Sequence, residues 1–371
     1  MSTARRSVGV EAASGRYQVH VASGILKELP DILRDDAPAH RYAVISDDRV
    51  AQLYGGEVAE ECRANGLEAE LVSFPEGEAS KNRTEWARLT DALLERGFGR
   101  DMVVVAVGGG VTGDLAGFVA ATYLRGVPVV QVPTSLVAMI DASVGGKTGV
   151  DAPAGKNLVG AFHAPEVVVA DPETIRTLPQ AERAQGLAEA LKHGAVRDGA
   201  YLAALVDDAE ELLAGESVAV APAVLRSVEL KAEVVSRDER EGGLRQILNF
   251  GHTLGHALEA ASGYTLGHGT AVAHGMVLEA ELGELVGVTA PGTRAELEAA
   301  LAAFGLGGRV ELDATADQVL SYLGADKKAR AGRPRFVLLE EAGRASPDHG
   351  WSREVDPAAV REVVEQALSF L

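Results

Sequence analysis

His252 and His256 stand four residues apart in the run Asn249-Phe250-Gly251-His252-Thr253-Leu254-Gly255-His256, and His268 follows the first of them by sixteen positions. Spacing of i and i+4 stacks two imidazoles on one face of a helix, and imidazole is the commonest protein ligand for a catalytic metal. An isolated pair of this kind is often two core histidines satisfied by backbone carbonyls. Here four of the chain's nine histidines fall between His252 and His274, and an acidic helix adds a further ligand type. Glu189 and Lys192 are i and i+3 within Gly186-Leu187-Ala188-Glu189-Ala190-Leu191-Lys192-His193. A carboxylate in so apolar a stretch is costly unless it meets a cation. Glu189, His252 and His268 therefore read as a two-imidazole, one-carboxylate set for a divalent metal with an open position, the pattern of a catalytic site.

A second constellation is Gly108-Gly109-Gly110-Val111-Thr112-Gly113-Asp114, which follows the apolar run 102–107 directly. The form G-x-G-x-x-G between a strand and a helix lets the backbone approach a pyrophosphate, and the helix amino terminus presents unpaired N–H groups. Gly109, Gly110 and Val111 are the candidate contacts. About 20 residues further on, where a Rossmann site places an acid for the ribose, the chain reads Gln131-Val132-Pro133-Thr134-Ser135. A dinucleotide site of a different topology is expected.

Lysine is scarce: of 35 Lys and Arg residues only eight are lysine. A compact, mobile ammonium suits close approach to phosphate or carboxylate oxygens, so each lysine is worth placing. Lys147 and Lys156 sit beside glycines, with Asn157 adjacent, and make a pocket suited to a phosphate monoester. Gly-Gly-Lys-Thr at 145–148 lacks the earlier glycine of a P-loop and follows no clear strand, which excludes a nucleoside-triphosphatase. Lys231 and Arg245 flank the charged run 233–241 at its more apolar ends, where they could grip a carboxylate.

The elements that must position these groups fall into two kinds. Runs 41–46, 102–107, 128–132 and 167–170 are short, β-branched and continuously apolar, as buried parallel strands are. Helix-period segments at 56–66 and 83–97 separate some of them, which predicts an open α/β sheet. Beyond Asp171-Pro172-Glu173-Thr174 the pattern turns helical, at 180–195, 199–214, 220–237, 252–262, 269–287 and 293–303, with a short β element at 336–339 and a last helix at 357–370. The expectation is an α/β nucleotide-binding domain over 1–175 and a mainly helical metal- and substrate-binding domain over 176–371, with the functional site in the cleft between them.

Composition bounds the partners. A net charge of −19 and a pI near 4.9 repel phosphate-rich surfaces, which argues against nucleic-acid and membrane partners. A single cysteine, Cys62, excludes an internal disulfide and fits a reducing, cytoplasmic compartment. No segment has the form of a signal peptide or of a membrane helix.

Taken together these motifs resemble the 3-dehydroquinate synthase family of sugar phosphate cyclases. The resemblance runs from about Tyr17 to the final helix and rests on Pro75 through Lys81, the glycine loop with Asp114, Tyr123-Leu124-Arg125-Gly126, Asp141 through Lys147, Lys156-Asn157, Glu189 with Lys192, Lys231, Glu241 with Arg245, Asn249 through His256, His268-Gly269 and Asp326-Lys327-Lys328.

The resemblance implies zinc or cobalt on Glu189, His252 and His268, in agreement with the set reached from the residues. It implies NAD contacts at Asp47, Glu78, Lys81, Gly110, Asp114, Thr134 and Ser135, with Lys147 and Lys156 close to the cofactor. Asp47 and Glu78 would supply, from earlier in the chain, the acids that the glycine loop lacks. Substrate contacts are implied at Asp141, Lys147, Asn157, Lys192, Lys231, Arg245, Asn249, His256 and one of Lys327 and Lys328, and Arg125 is implied to reach across a homodimer interface. The implied reaction takes 3-deoxy-arabino-heptulosonate 7-phosphate to 3-dehydroquinate and phosphate by transient oxidation with NAD, phosphate elimination, re-reduction and an intramolecular aldol step. His256 is the candidate proton relay.

Two positions depart from the pattern. Thr270 stands where many relatives carry Glu, which leaves open what carboxylate supports the metal ligands. Pro347-Asp348-His349-Gly350-Trp351 matches nothing assignable. The alternatives are cyclases acting on other sugar phosphates, including the amino-substrate version of the same reaction, a metal-dependent polyol dehydrogenase, and a non-catalytic NAD-binding protein. Arg245 and Asn249 favour a carboxylated substrate, and the phosphate-binding lysines would be without purpose in a polyol dehydrogenase.

Overall fold

The computed structural model describes residues 5–307, 312–323 and 333–369. The chain forms two compact units, one from residues 1–178 and 215–236, the other from 179–214 and 237–371. Among the described residues no helix is long and apolar enough to cross a membrane.

Among its described residues the first unit has nine strands: β1 (Arg6–Ala12), β2 (Gly15–Val21), β3 (Arg41–Asp47), β4 (Glu68–Phe74), β5 (Met102–Gly108), β6 (Val129–Pro133), β7 (Lys147–Ala152), β8 (Gly155–Phe162) and β9 (Val167–Ala170). Seven of them form one sheet in the order β1-β2-β9-β6-β5-β3-β4. Only the β1–β2 pair is antiparallel; β2 with β9, β9 with β6, β6 with β5, β5 with β3 and β3 with β4 all run parallel. All seven residues of β5 are buried. Side chains alternate across a strand, and here both faces are covered. Val103, Val105 and Val107 pack with Leu29, Leu33, Val58 and Cys62 of the helices on one side. Val104 and Ala106 pack with Leu89, Leu93, Leu115 and Val119 on the other. That double coverage is why these strands read as unbroken apolar runs.

Parallel pairing also sets the functional edge. Asp47 at the end of β3 is in register with Phe74 at the end of β4, and Gly108 at the end of β5 with Pro133 at the end of β6. The segments that follow these strands therefore leave from one side of the sheet, the side on which open α/β sheets bind ligands.

The second unit is mainly helical, with helices at Gln180–Arg197, Gly199–Asp207, Ala209–Ala214, His252–Ala261, His268–Leu285, Thr293–Ala302, Ala316–Leu323 and Pro357–Ser369. Leu254, Leu258, Leu278, Leu282, Val319, Phe336, Val360 and Val364 form its shared core. The β element expected at 336–339 lies slightly later: Leu339–Glu341 pairs with Arg344–Ala345, and Phe336 makes only an isolated bridge to Arg353. Strands β7 and β8 form an antiparallel hairpin in a stretch where no strand was expected, and it carries Lys147, Lys156 and Asn157.

Candidate metal centre and nucleotide loop

In the second unit three helices deliver the metal candidates. The Gln180–Arg197 helix carries Glu189 and Lys192, both 1% exposed. The His252–Ala261 helix carries His252 at its first position and His256 one turn later, and the next helix begins at His268. Glycines let the two histidine helices meet. A Cβ on Gly275 would lie 1.8 Å from the Gly251 carbonyl oxygen, and one on Gly255 would lie 2.7 Å from that of Ala271. A Cβ on Gly269 would lie 2.2 Å from the Gln185 carbonyl oxygen, so the same economy brings the third helix in.

Glu189 Oε1 is 3.6 Å from His252 Nε2 and 3.7 Å from His268 Nε2, and the three donor atoms lie within 4.8 Å of one another. Ligands at about 2.0–2.2 Å from a tetrahedral ion stand about 3.4 Å apart, so this spacing fits one divalent cation of the zinc or cobalt kind. The remaining oxygen of Glu189, Oε2, accepts a hydrogen bond from the Lys192 ammonium, which resolves how the apolar helix tolerates the carboxylate.

The outer partners agree with this arrangement. His252 Nδ1 faces the Phe250 carbonyl at 3.2 Å, so that nitrogen carries the proton and Nε2 is left as the ligand atom. His268 Nδ1 faces Glu259 Oε2 at 3.5 Å. Burial alone would push the His268 imidazolium down, but its hydrogen bonds and charge interactions with Glu189 and Glu259 outweigh this and raise its pKa to about 9. Glu259 also answers the question left by Thr270: the supporting carboxylate comes from the neighbouring helix. His256, Glu259 and His268 form a second grouping of metal-ligand type. It shares His268 with the first set. His256 lies beside the first set, its ring centroid 5.2 Å from that of His252 and 5.8 Å from that of His268.

Arg245 and Asn249 belong to the short 3-10 helix Leu244–Asn249 of the same unit. Arg245 is buried and donates to the Glu239 carbonyl at 2.5 Å, and Asn249 donates to Glu241 Oε1. Asp238 accepts from the backbone N–H groups of Gly242, Gly243 and Arg245, at 2.9, 2.7 and 2.9 Å, which fixes the turn that presents Arg245. Lys327 and Lys328 lie outside the described residues.

The first unit gathers the nucleotide candidates. Gly109 caps the helix Gly110–Thr122, and Asp114 sits in its opening turns. Two glycines of the motif serve packing: a Cβ on Gly108, at the end of β5, would meet Thr112 Oγ1 at 2.3 Å, and one on Gly113, in the helix, would meet Gln131 Oε1 at 2.9 Å. Thr112 Oγ1 donates to Asp47 Oδ2 at 3.3 Å, tying the end of β3 to the loop after β5. Thr134 N–H donates to the Gly108 carbonyl at 2.9 Å, and Ser135 Oγ would lie 3.3 Å from a Cβ on Gly109. Val111 is half-buried in the first turn.

Lys81 joins three carboxylates, with its Nζ 2.7 Å from Glu78, 3.5 Å from Asp114 and 3.9 Å from Asp151. Burial alone would lower the Lys81 pKa, but Asp114 and Glu78 outweigh it and hold it above its usual value. Burial pushes Asp114 up to about 6, against the opposing effect of Lys81. Asp151, absent from the sequence-based candidates, enters because β7 runs beside Lys81, whose carbonyl accepts from the Asp151 N–H at 2.8 Å.

The remaining candidates of this unit are placed individually. Lys147 opens β7 and is exposed, while Lys156 and Asn157 lie on β8. Asn157 has φ 55° and its N–H donates to Asp151 Oδ1 at 2.8 Å. Lys231 is buried with its Nζ 2.6 Å from Asp141 Oδ1. Arg125 is exposed in a turn where Leu124 and Arg125 both have positive φ.

Comparison with known proteins gives consistent results. Residues 71–185 match the model of the 3-dehydroquinate synthase N-terminal family and residues 186–329 that of the C-terminal family. The chain is 43% identical over 361 residues to a 3-dehydroquinate synthase of Symbiobacterium thermophilum, covering 95% of this chain and 98% of that one. Among solved structures, 2-epi-5-epi-valiolone synthase from Streptomyces hygroscopicus, with NAD+ and Zn2+ bound, superposes with TM-score 0.85 at 26% identity over 96% of this chain and 97% of that one. A 2-deoxy-scyllo-inosose synthase shares the fold with TM-score 0.90 at 24% identity, covering 97% of this chain and 100% of that one.

Proposed function

This chain belongs to the 3-dehydroquinate synthase family, and from that premise we propose that it converts 3-deoxy-arabino-heptulosonate 7-phosphate into 3-dehydroquinate and inorganic phosphate, a carbon–oxygen lyase step on the route to aromatic amino acids. The observation that carries the reading is the convergence of Glu189, His252 and His268 donor atoms within 4.8 Å, in a chain whose curated relative is matched over nearly its whole length.

When bound, NAD would supply a reversible hydride acceptor for the substrate C5 carbon, and a zinc or cobalt ion would supply a Lewis acid for the C5 oxygen. The ion would be held by Glu189, His252 and His268, and the dinucleotide by the first unit through Gly109, Gly110, Val111, Asp114, Asp47, Glu78, Lys81, Thr134 and Ser135. Lys192 gives the outer oxygen of Glu189 an ammonium partner in an apolar setting. His256, whose ring lies beside that of His252, would take the proton released from the C5 hydroxyl. Lys147, Lys156 and Asn157 supply two cations and an amide for the phosphate, which leaves by β-elimination once the C6 proton has become acidic. Arg245 offers a guanidinium fork to the substrate carboxylate, and Asn249 an amide beside it. Asp141 orients the Lys231 ammonium for a substrate oxygen. Because the hydride is returned, the reaction has no net redox change.

A cytoplasmic homodimer is the proposed form. Cys62, buried and the chain's single thiol, supports a reducing compartment, and the exposed turn at Arg125 is the segment proposed to reach the second copy.

The test is an assay of phosphate release from the heptulosonate phosphate with NADH absorbance followed in parallel. Phosphate without accumulating NADH is the expected result. Stoichiometric NADH from a simple polyol, without phosphate release, would identify a dehydrogenase instead.

A further inference from the structure

The geometry points to Glu279 as a positioning residue of the metal centre, a helix cap supplied by the neighbouring helix that fixes where His252 presents its imidazole. The inference rests on the reading of Glu189, His252 and His268 as metal ligands. A helix leaves its first N–H groups without intrahelical partners, and the usual remedy is a Ser, Thr, Asp or Asn side chain at the preceding position. Before His252 that position is Gly251, with φ 77°, where a Cβ would lie 2.5 Å from Met276 Cγ and 2.7 Å from the Val272 carbonyl oxygen. No capping side chain can stand there.

Glu279 takes over the task. Its Oε1 accepts from the N–H groups of Thr253 and Leu254 at 3.0 and 3.1 Å, and its Oε2 accepts from Gly251 at 2.8 Å. The carboxylate also opposes the positive end of the helix dipole. Its own helix begins at His268, so Glu279 stands eleven residues, about three turns, beyond another ligand. One side chain thus fastens the start of the helix bearing His252 to the helix bearing His268. The His252 ring is oriented by the Phe250 carbonyl at 3.2 Å, on the same short stretch of backbone that Glu279 grips. Glu279 is 0% exposed, and its three backbone N–H partners offset the cost of burying a carboxylate there.

Zinc affinity measured by competition with a fluorescent chelator tests this on the full chain. Glu189→Gln should bind zinc far more weakly than the wild type. If it binds equally well, the metal reading fails and the positioning role with it. Given that difference, Glu279→Gln, which turns an amide N–H toward backbone donors, should raise the zinc dissociation constant about tenfold or more, the effect usual for outer-sphere changes. Val319→Ala, in the core of the same unit, serves as a control that lowers the melting temperature and leaves zinc affinity unchanged. Wild-type zinc affinity in Glu279→Gln, with only a lowered melting temperature, would overturn the inference. Should that variant not fold, hydrogen exchange on the unmodified chain decides. Zinc should slow exchange at the Thr253 and Leu254 amides more than at the first turn of the Thr293–Ala302 helix, since coupling between cap and metal is reciprocal. Equal exchange with and without zinc at those two amides would overturn it.

Discussion

Glu259 Oε2 lies 3.5 Å from His268 Nδ1, while the opposite ring nitrogen lies 3.7 Å from Glu189 Oε1, so one imidazole is held between two carboxylates. The pair replaces the acid missing at Thr270 with one from a different helix. Glu259→Gln should therefore raise the zinc dissociation constant about 10- to 100-fold while leaving the fold intact by circular dichroism. Unchanged affinity would mean that Glu259 does not support the ligand.

Asp114 gives a pH prediction. Its folded pKa of about 6 stands above its ordinary 3.8, burial being the main cause. The folded chain therefore binds more protons than the unfolded one between those values. The stabilising contribution of the protonated group is fully present below about pH 4 and is lost as pH rises through about 6. Asp114→Asn should thus lose ground to the wild type as the pH is lowered from 7 to 5 in denaturant titrations. Lys81→Met, which removes the opposing ammonium, should raise the Asp114 pKa further in a carboxyl NMR titration. A pKa unmoved by that substitution would contradict the pairing.

Close approach of the two histidine helices depends on Gly275. An alanine Cβ there would lie 1.8 Å from the Gly251 carbonyl oxygen, so Gly275→Ala should cost about 3 kcal/mol, at the upper end of ordinary overpacking, and should weaken zinc binding with it. Gly242→Ala, whose Cβ would have 3.9 Å to its nearest neighbour, should stay within about 0.5 kcal/mol of the wild type. Urea unfolding of both variants checks the contrast.

Arg245 is proposed to grip a carboxylate through its planar fork, which lysine cannot reproduce. Arg245→Lys should raise KM for the heptulosonate phosphate about tenfold, the range expected when a hydrogen bond to a charged group is lost, with near-native melting. A KM equal to that of the wild type would place the substrate carboxylate elsewhere.

Much of the scaffold was legible because burial on both faces of β3, β5, β6 and β9 writes continuous apolar runs, and because the second unit's helices keep a clean helical period. The edge strand β4 carries no such mark, with Glu68 exposed, Glu70 half-buried and only Ala69, Val72 and Phe74 buried, and the separate β7–β8 hairpin contains glycines and lysines. The helix Ser217–Arg237 groups almost wholly with the first unit, an association that local periodicity does not encode. In the metal site, Glu189, His252 and His268 stood out by residue type and surroundings. Glu259 and Glu279 did not, since an acid on an Ala- and Glu-rich helix usually faces water. Glu259 had one signal, its i+3 spacing from His256. Asp151 beside Lys81 is visible only once strand topology is known.

Anomalous diffraction at the zinc edge, on crystals of the full chain grown with zinc, tests the central claim most directly. The expected result is one peak within about 2.0–2.2 Å of Glu189 Oε1, His252 Nε2 and His268 Nε2. A peak instead among His256, Glu259 and His268, or none in this unit, would contradict it.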